Sequence, residues 1–204
     1  FSKLWPGVLE AFRLIGSEQI QGRASLGGNI CNGSPAGDSV PALIAAGCIA
    51  LIAGPNGKRE IPIEEFHIGP GKTVLNNGEM LVSLKFPKRE IHSSDTYLRM
   101  TPRTEMDIAV VGCGVNITFE NNVCTAARVS LGAVAPTPLL IKEASKLMVG
   151  SDLNSEILDK VSKICMDLCD PIDDKRGTID YRTKVAGVLF KRATLTTIDR
   201  IKGN

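Results

Sequence analysis

The sequence predicts an α+β fold, and three observations carry the prediction. Strand-like segments at Cys48–Ala53 and Arg59–Ile63 flank Gly54-Pro55-Asn56-Gly57, and an Asn-Gly pair in so short a connection is a strong hairpin signal. Thr96–Met100, Ala109–Phe119 and Val123–Leu131 read as a three-stranded antiparallel meander, with its last two strands joined across Glu120-Asn121-Asn122. Helical spacing then runs to the end of the chain. Strands followed by a run of helices predict those helices packed on one face of the antiparallel sheet.

Each element has a local cause. Pro6–Ile15 reads as a short amphipathic helix, because Pro6 suits the first turn, Val8, Leu9, Phe12 and Ile15 recur at helical spacing, and Gly16 ends the pattern. Ser39–Ala46 reads as a brief helix closed by Gly47, with Asp38 or Ser39 able to accept from its free N–H groups. Met80–Phe86 is a strand, and the polar stretch Pro87–Asp95 marks a boundary between subdomains. Lys142–Val149 stops at Gly150, and Ser155–Cys169 starts after Asn154. The last helix, Tyr181–Ile201, aligns Tyr181, Val185, Val188, Leu189, Leu195 and Ile198 on one face. No internal repeat is present.

Bulk properties narrow the function classes. An apolar fraction of 43% is ordinary for a globular fold, and a net charge of +2 supplies neither a field for nucleic acid nor a polybasic membrane anchor. No apolar stretch approaches the ~18 residues of a membrane-spanning helix. The chain opens on Phe1 rather than Met and without a leader pattern, so a fragment or one piece of a cut subunit is expected. Cys31, Cys48, Cys113, Cys124, Cys165 and Cys169 contain no Cys-x-x-Cys pair, so metal ligation by them is not expected. Cys165 and Cys169 share a helix face and read as small buried hydrophobes. Reduced thiols imply a cytoplasmic setting.

The run Gly22–Pro41 is the densest cluster of small and hydrogen-bonding residues, and it reads as a ligand-approaching loop. Gly27 and Gly28 carry no Cβ, so main-chain N–H groups there can come close to a phosphate or a ring edge. Ser25, Asn29, Asn32 and Ser34 add side-chain donors.

This segment, with Ser-Leu-Gly-Gly-Asn-Ile at 25–30 and Ser-Pro-Ala-Gly-Asp at 34–38, resembles the second flavin-binding signature of the FAD domain in molybdenum hydroxylases. That family includes xanthine dehydrogenase and the medium subunit of carbon monoxide dehydrogenase. The likeness continues through Phe66–Val74, Pro102–Val111, Leu131–Pro138 and Tyr181–Ala193, in order, and so spans essentially the whole chain. The family's first flavin signature, a Gly-rich turn that cradles the pyrophosphate, has no counterpart in these residues. The cysteine-rich iron–sulfur insertion of some relatives is not matched either.

The resemblance implies an FAD-binding domain of the molybdenum hydroxylase type. Residues 1–90 would be the remainder of an FAD-binding α/β subdomain, and 91–204 a C-terminal subdomain of antiparallel sheet plus helices. It implies FAD as cofactor, with Ser25, Leu26, Gly27, Gly28 and Asn29 at its phosphate and ribityl region and Asn32 as a further polar contact. Asp38 falls on the family's acidic position, where a carboxylate accepts from ribose hydroxyls; the pattern also offers it as a helix N-cap, and the two roles are not exclusive. Leu81 would line the flavin cavity and would otherwise read as core. Arg99 aligns with a basic residue, lysine in some relatives, whose charge stabilises the anionic reduced flavin; unplaced, it would be a solvated surface residue.

Several other motifs are set aside. Gly71-Lys72-Thr73 imitates the tail of a P-loop, but the residue five before Gly71 is Phe66 where the motif needs glycine. No Gly-x-Gly-x-x-Gly follows a strand. His67 and His92 have no nucleophile and acid orienter near them in sequence, and His67 reads as structural. Glu64 and Glu65 are adjacent and point apart on a strand, which argues against a carboxylate pair.

Three functions follow, one of them a flavin oxidoreductase unrelated to molybdenum. The first is an electron-transfer subunit that binds FAD and works beside a molybdenum-cofactor large subunit and a [2Fe-2S] small subunit, passing electrons to an acceptor such as NAD or a quinone. The second is a flavin-free fragment that serves as a subunit-docking module.

Overall fold

The computed structural model describes residues 3–104 and 106–203. Phe1, Glu105 inside the Pro102–Val111 block, and Asn204 at the end of the second predicted subdomain lie outside the described residues.

Four helices open the chain: α1 (Pro6–Arg13), α2 (Glu18–Gln21), α3 (Leu26–Cys31) and α4 (Ser39–Ala46). Pro6 sits in the first turn of α1, as its fixed φ and missing N–H favour. Gly16 (φ 65°) turns the chain after α1, and Gly47 (φ 72°) closes α4 in the left-handed conformation. The run read as a loop contains the short helix α3 and the start of α4 between turns, because Ser25 caps α3 and Gly33 (φ 66°) lets the chain leave it.

A small sheet follows, in the order β2 (Gly57–Pro62), β1 (Ile49–Gly54), β5 (Met80–Lys85), all antiparallel. The predicted hairpin forms with its tip one residue earlier than an Asn-Gly turn would put it. Gly54 pairs with Gly57 across Pro55-Asn56, and Gly57 takes φ 107°. Pro55 suits the first corner of such a turn. Between β2 and β5 lie a 3₁₀ turn at Ile63–Glu65 and the short pair β3 (His67–Gly69) and β4 (Lys72–Thr73). Glu64 and Glu65 thus lie on the turn and not on a strand.

The larger sheet runs β6 (Ser93–Met100), β7 (Val111–Glu120), β8 (Val123–Gly132), β9 (Leu139–Leu140). The meander is as predicted, and its β7–β8 tip is Asn121-Asn122 at φ 49° and 63°, the paired positive φ that twisted two-residue hairpins need. A fourth, two-residue strand joins the three expected ones, since the chain folds back along β8.

Helices α5 (Lys142–Met148), α6 (Ser155–Asp167) and α7 (Ile179–Lys202) follow. They cover one face of the sheet, and α1 and α4 cover the other, so helices pack on both faces and not one. The sequence of β7 explains this. Val111, Cys113, Val115 and Ile117 enter the core shared with α6 and α7, while on the opposite face Gly114 leaves room for α4 and Gly112 for the Tyr97 ring. A Cβ at Gly114 would stand 2.6 Å from the Pro41 carbonyl oxygen.

The predicted face of α7 is corrected in half, since Leu189 and Ile198 are buried and Val185 packs on the core as predicted. Tyr181, Val188 and Leu195 are exposed, whereas Arg182, Ala186, Leu189, Phe190, Ala193 and Thr197 are buried. Close approach selects small residues: a Cβ at Gly187 would meet Ser162 Oγ at 2.6 Å. Among the described residues no helix is long and apolar enough to cross a membrane.

Candidate functional site

Ser25 opens the site. Its extended backbone (φ −125°, ψ 151°) precedes α3, and its Oγ accepts from the Gly28 N–H at 3.0 Å. The N–H groups of Leu26 and Gly27 lie in the first turn, ahead of any intrahelical acceptor. A Cβ built on Gly27 would meet nothing within 4 Å, and Gly27 is not among the positive-φ glycines. Neither packing nor backbone conformation demands glycine there, although glycine within a helix costs about 1 kcal/mol relative to alanine.

That open space is a groove. One lobe, about 350 Å³, is walled by Leu26 and Gly27 of α3, Phe12 of α1, and Leu81, Leu84 and Phe86 of β5 and its continuation. A second lobe, about 250 Å³, shares Phe12 and Leu26 and adds Arg13, Ile15, Gln21 and Ser25. Four of the predicted residues therefore meet at one place: Ser25, Leu26, Gly27 and Leu81. A side chain at Gly28 would press on Ser25 Oγ, 3.0 Å from the added Cβ.

The other predicted residues stand back from the groove. Asn29 Oδ1 accepts from Ser39 Oγ at 2.6 Å and so ties α3 to α4. Asn32 is the exposed C-cap of α3, with its N–H on the Gly28 carbonyl. Asp38 is buried, and it does not cap α4 through its side chain. Its carboxylate accepts from Tyr97 Oη at 2.9 Å and from Arg99 Nη1 at 2.7 Å. Arg99 Nη1 also donates to the Leu14 carbonyl at 3.0 Å, and the Arg99 side chain is only 8% exposed. Burial pushes the Asp38 carboxyl above its usual range, while the Arg99 charge and the Tyr97 and Arg99 hydrogen bonds pull it back. The pair stands behind the groove wall, at the residue before Ile15.

His67 is structural, as read. It is buried, its Nε2 lies 2.7 Å from the Ile30 carbonyl at the end of α3, and burial lowers its pKa. Sequence reasoning missed Phe12, Ile15, Phe86 and Tyr97. The first two were visible only as apolar residues at helical spacing in Pro6–Ile15, since periodicity does not tell a core face from a groove wall. Tyr97 left a fainter trace in Gly112, where a Cβ would stand 2.6 Å from Tyr97 Oη.

An α+β domain with a glycine-opened groove at the start of a capped helix has the build of a cofactor-binding domain. Residues 1–89 match the family described as the FAD binding domain in molybdopterin dehydrogenase, and residues 96–197 match the CO dehydrogenase flavoprotein C-terminal domain. The chain belongs to the FAD-binding subunit family of the molybdenum hydroxylases. It is 31% identical over 188 residues to the carbon monoxide dehydrogenase medium chain of Hydrogenophaga pseudoflava, covering 92% of this chain and 65% of that one. It is 30% identical over 188 residues to the putative xanthine dehydrogenase FAD-binding subunit of Escherichia coli K12, covering 92% and 64%. In three dimensions it superposes on carbon monoxide dehydrogenase from Hydrogenophaga pseudoflava with a TM-score of 0.94 at 30% identity, over 98% of this chain and 69% of that one. The chain thus spans 65% or less of the length of these two curated relatives.

Proposed function

We propose that this chain is the FAD-holding part of an electron-transfer subunit in a molybdenum-hydroxylase-type oxidoreductase. Its partners would be a molybdenum-cofactor large subunit and a [2Fe-2S] small subunit, with electrons leaving to an acceptor such as NAD or a quinone, in a cytoplasmic setting. The subdomains 1–90 and 91–204 belong to the same proposal. The observation that carries it is Gly27, a helical glycine beside open space that the chain's own packing does not use.

The residues present fit the cofactor. First-turn amides of Leu26 and Gly27 are oriented donors for phosphate or ribityl oxygens, brought close by the absent Cβ. Ser25, Gly28 and Asn29 fix that turn, and Asn32 adds a polar group at its far end. Phe12, Leu81, Leu84 and Phe86 offer an apolar wall that excludes water from a flat ring. Asp38 and Arg99 hold the α1 end of the groove from behind, and any direct reach of either to the cofactor is part of the proposal. When bound, FAD supplies the redox chemistry of its isoalloxazine ring; the chain supplies binding, orientation and exclusion of water.

Titration of FAD into the purified full-length subunit, followed by flavin fluorescence, tests the reading. One-to-one quenching is expected. A full-length subunit that stays colourless and ignores added FAD refutes it and favours the flavin-free docking module.

A further inference from the structure

Tyr97 is 2% exposed, and its hydroxyl donates to Asp38 Oδ1. Gly112, the strand partner of Arg99, keeps the place of that hydroxyl, since any Cβ there would stand 2.6 Å from it. The other Asp38 oxygen accepts from Arg99 Nη1, which also donates to the Leu14 carbonyl. Leu14 is the C-cap of α1, and Ile15, the next residue, lines the groove before Gly16 turns the chain away. Three consecutive contacts therefore lead from a buried phenol to the groove wall.

We propose that Tyr97 is a positioning residue for the groove: by holding the Asp38 carboxylate as acceptor for Arg99, it fixes Leu14–Ile15 in the place that receives the flavin. The inference rests on the flavin reading of that groove. Arg99 and Tyr97 of β6 face the carboxylate directly, the Leu14 carbonyl shares Arg99 from the C-cap of α1, and Gly112 of β7 adjoins the phenol. Burial already favours the neutral acid of Asp38, so loss of one of its two side-chain donors raises its pKa further. A neutral Asp38 holds Arg99 less firmly, which frees the end of α1.

The experiment compares wild type with Tyr97→Phe in two ways. In the FAD-free protein, the Asp38 carboxyl and Ile15 methyl resonances are followed by NMR as pH is varied. The Asp38 midpoint should move upward in Tyr97→Phe, and the Ile15 methyl should titrate with the same midpoint. In the FAD-binding assay, Tyr97→Phe should lose about tenfold in affinity, the ratio set by about 1.4 kcal/mol, with the loss deepening as pH falls through that midpoint. An Ile15 methyl that does not follow Asp38, or an affinity loss equal at every pH, overturns the positioning role. Gly112→Ala, which displaces the hydroxyl without removing it, should reproduce the behaviour if Tyr97→Phe does not fold. A wild type that takes up no FAD, with Ile15 still following Asp38, defeats the flavin reading and leaves the coupling standing.

Discussion

Gly27 and Gly28 are neighbours in sequence yet answer to different constraints. Gly28 faces the Ser25 hydroxyl that caps its own N–H, whereas Gly27 faces nothing within 4 Å. Gly27→Ala should therefore stabilise the FAD-free protein by roughly 0.5–1 kcal/mol in urea unfolding, because alanine loses less backbone entropy in a helix. The same change should weaken FAD binding, since the added methyl enters the groove. Opposite signs in the two measurements are the expected outcome, and equal FAD affinity in both proteins would remove Gly27 from the site. Ser25→Ala should cost about 1 kcal/mol of stability through the lost cap, read as a lower urea midpoint. The paired glycines and the serine were legible in the sequence as a small, polar cluster. Which glycine borders empty space was not, because that depends on Phe12 and Leu81, which come from other elements.

Helix α1 shows how an element can be located correctly while its support stays hidden. Pro6 marks its start, but Trp5 at the N-cap supplies no side-chain acceptor. The acceptor is Asp95 on β6, which takes the Val8 N–H at 2.9 Å and pairs with Arg89 at 3.1 Å, while the Arg89 guanidinium stacks 4.2 Å from the centre of the Trp5 ring. A Cβ at Gly7 would stand 2.7 Å from Asp95 Oδ2, so the helix lies tight against the strand. Burial pushes the Asp95 carboxyl from 3.8 up to about 6, against the pull of Arg89 and the Val8 N–H. Because the folded value lies above the unfolded one, the fold gains stability from a neutral Asp95 below about pH 4 and loses it as pH rises through about 6. Thermal midpoints measured from pH 4 to pH 7 should carry this downward contribution. Asp95→Asn, which stays neutral, should gain on the wild type as pH rises through about 6, and its profile should lack that contribution. An unchanged slope in the variant would show that another group titrates there. In α7 the predicted and observed faces differ for a related reason: the buried side was chosen by close approach to α6 through Gly187 and Ala186, and hydrophobicity alone pointed to Tyr181, Val188 and Leu195.

At the scale of the whole molecule, one sheet serves two cores. The β7 side chains Val111, Cys113, Val115 and Ile117 belong to the core built with α5, α6 and α7, and the second core joins α1, α4 and Tyr97 on the other face. Gly114→Ala places a Cβ against the Pro41 carbonyl at 2.6 Å and the Pro41 carbonyl carbon at 2.9 Å, backbone atoms that no rotamer change can move. A loss of about 1–3 kcal/mol is expected. It should appear as one thermal transition shifted downward, because both cores hang on the same strands. Two transitions, only one of them shifted, would show that the cores unfold independently.

The sequence by itself determined the α+β class, the order and approximate ends of the hairpin, meander and closing helices, the resemblance to molybdenum-hydroxylase FAD domains, and the clustering of small and polar residues around Ser25–Asn29. These are properties of local periodicity, turn chemistry and short motifs, which adjacent residues carry. The tertiary structure decided that Gly27 borders an open groove, that Asp38 and Arg99 join each other and Leu14 behind it, that helices lie on both faces of the sheet, and that Asp95 caps α1 from 87 residues away. Each of these depends on which distant groups share a buried space, and burial decides where a charge or hydrogen bond must find its partner.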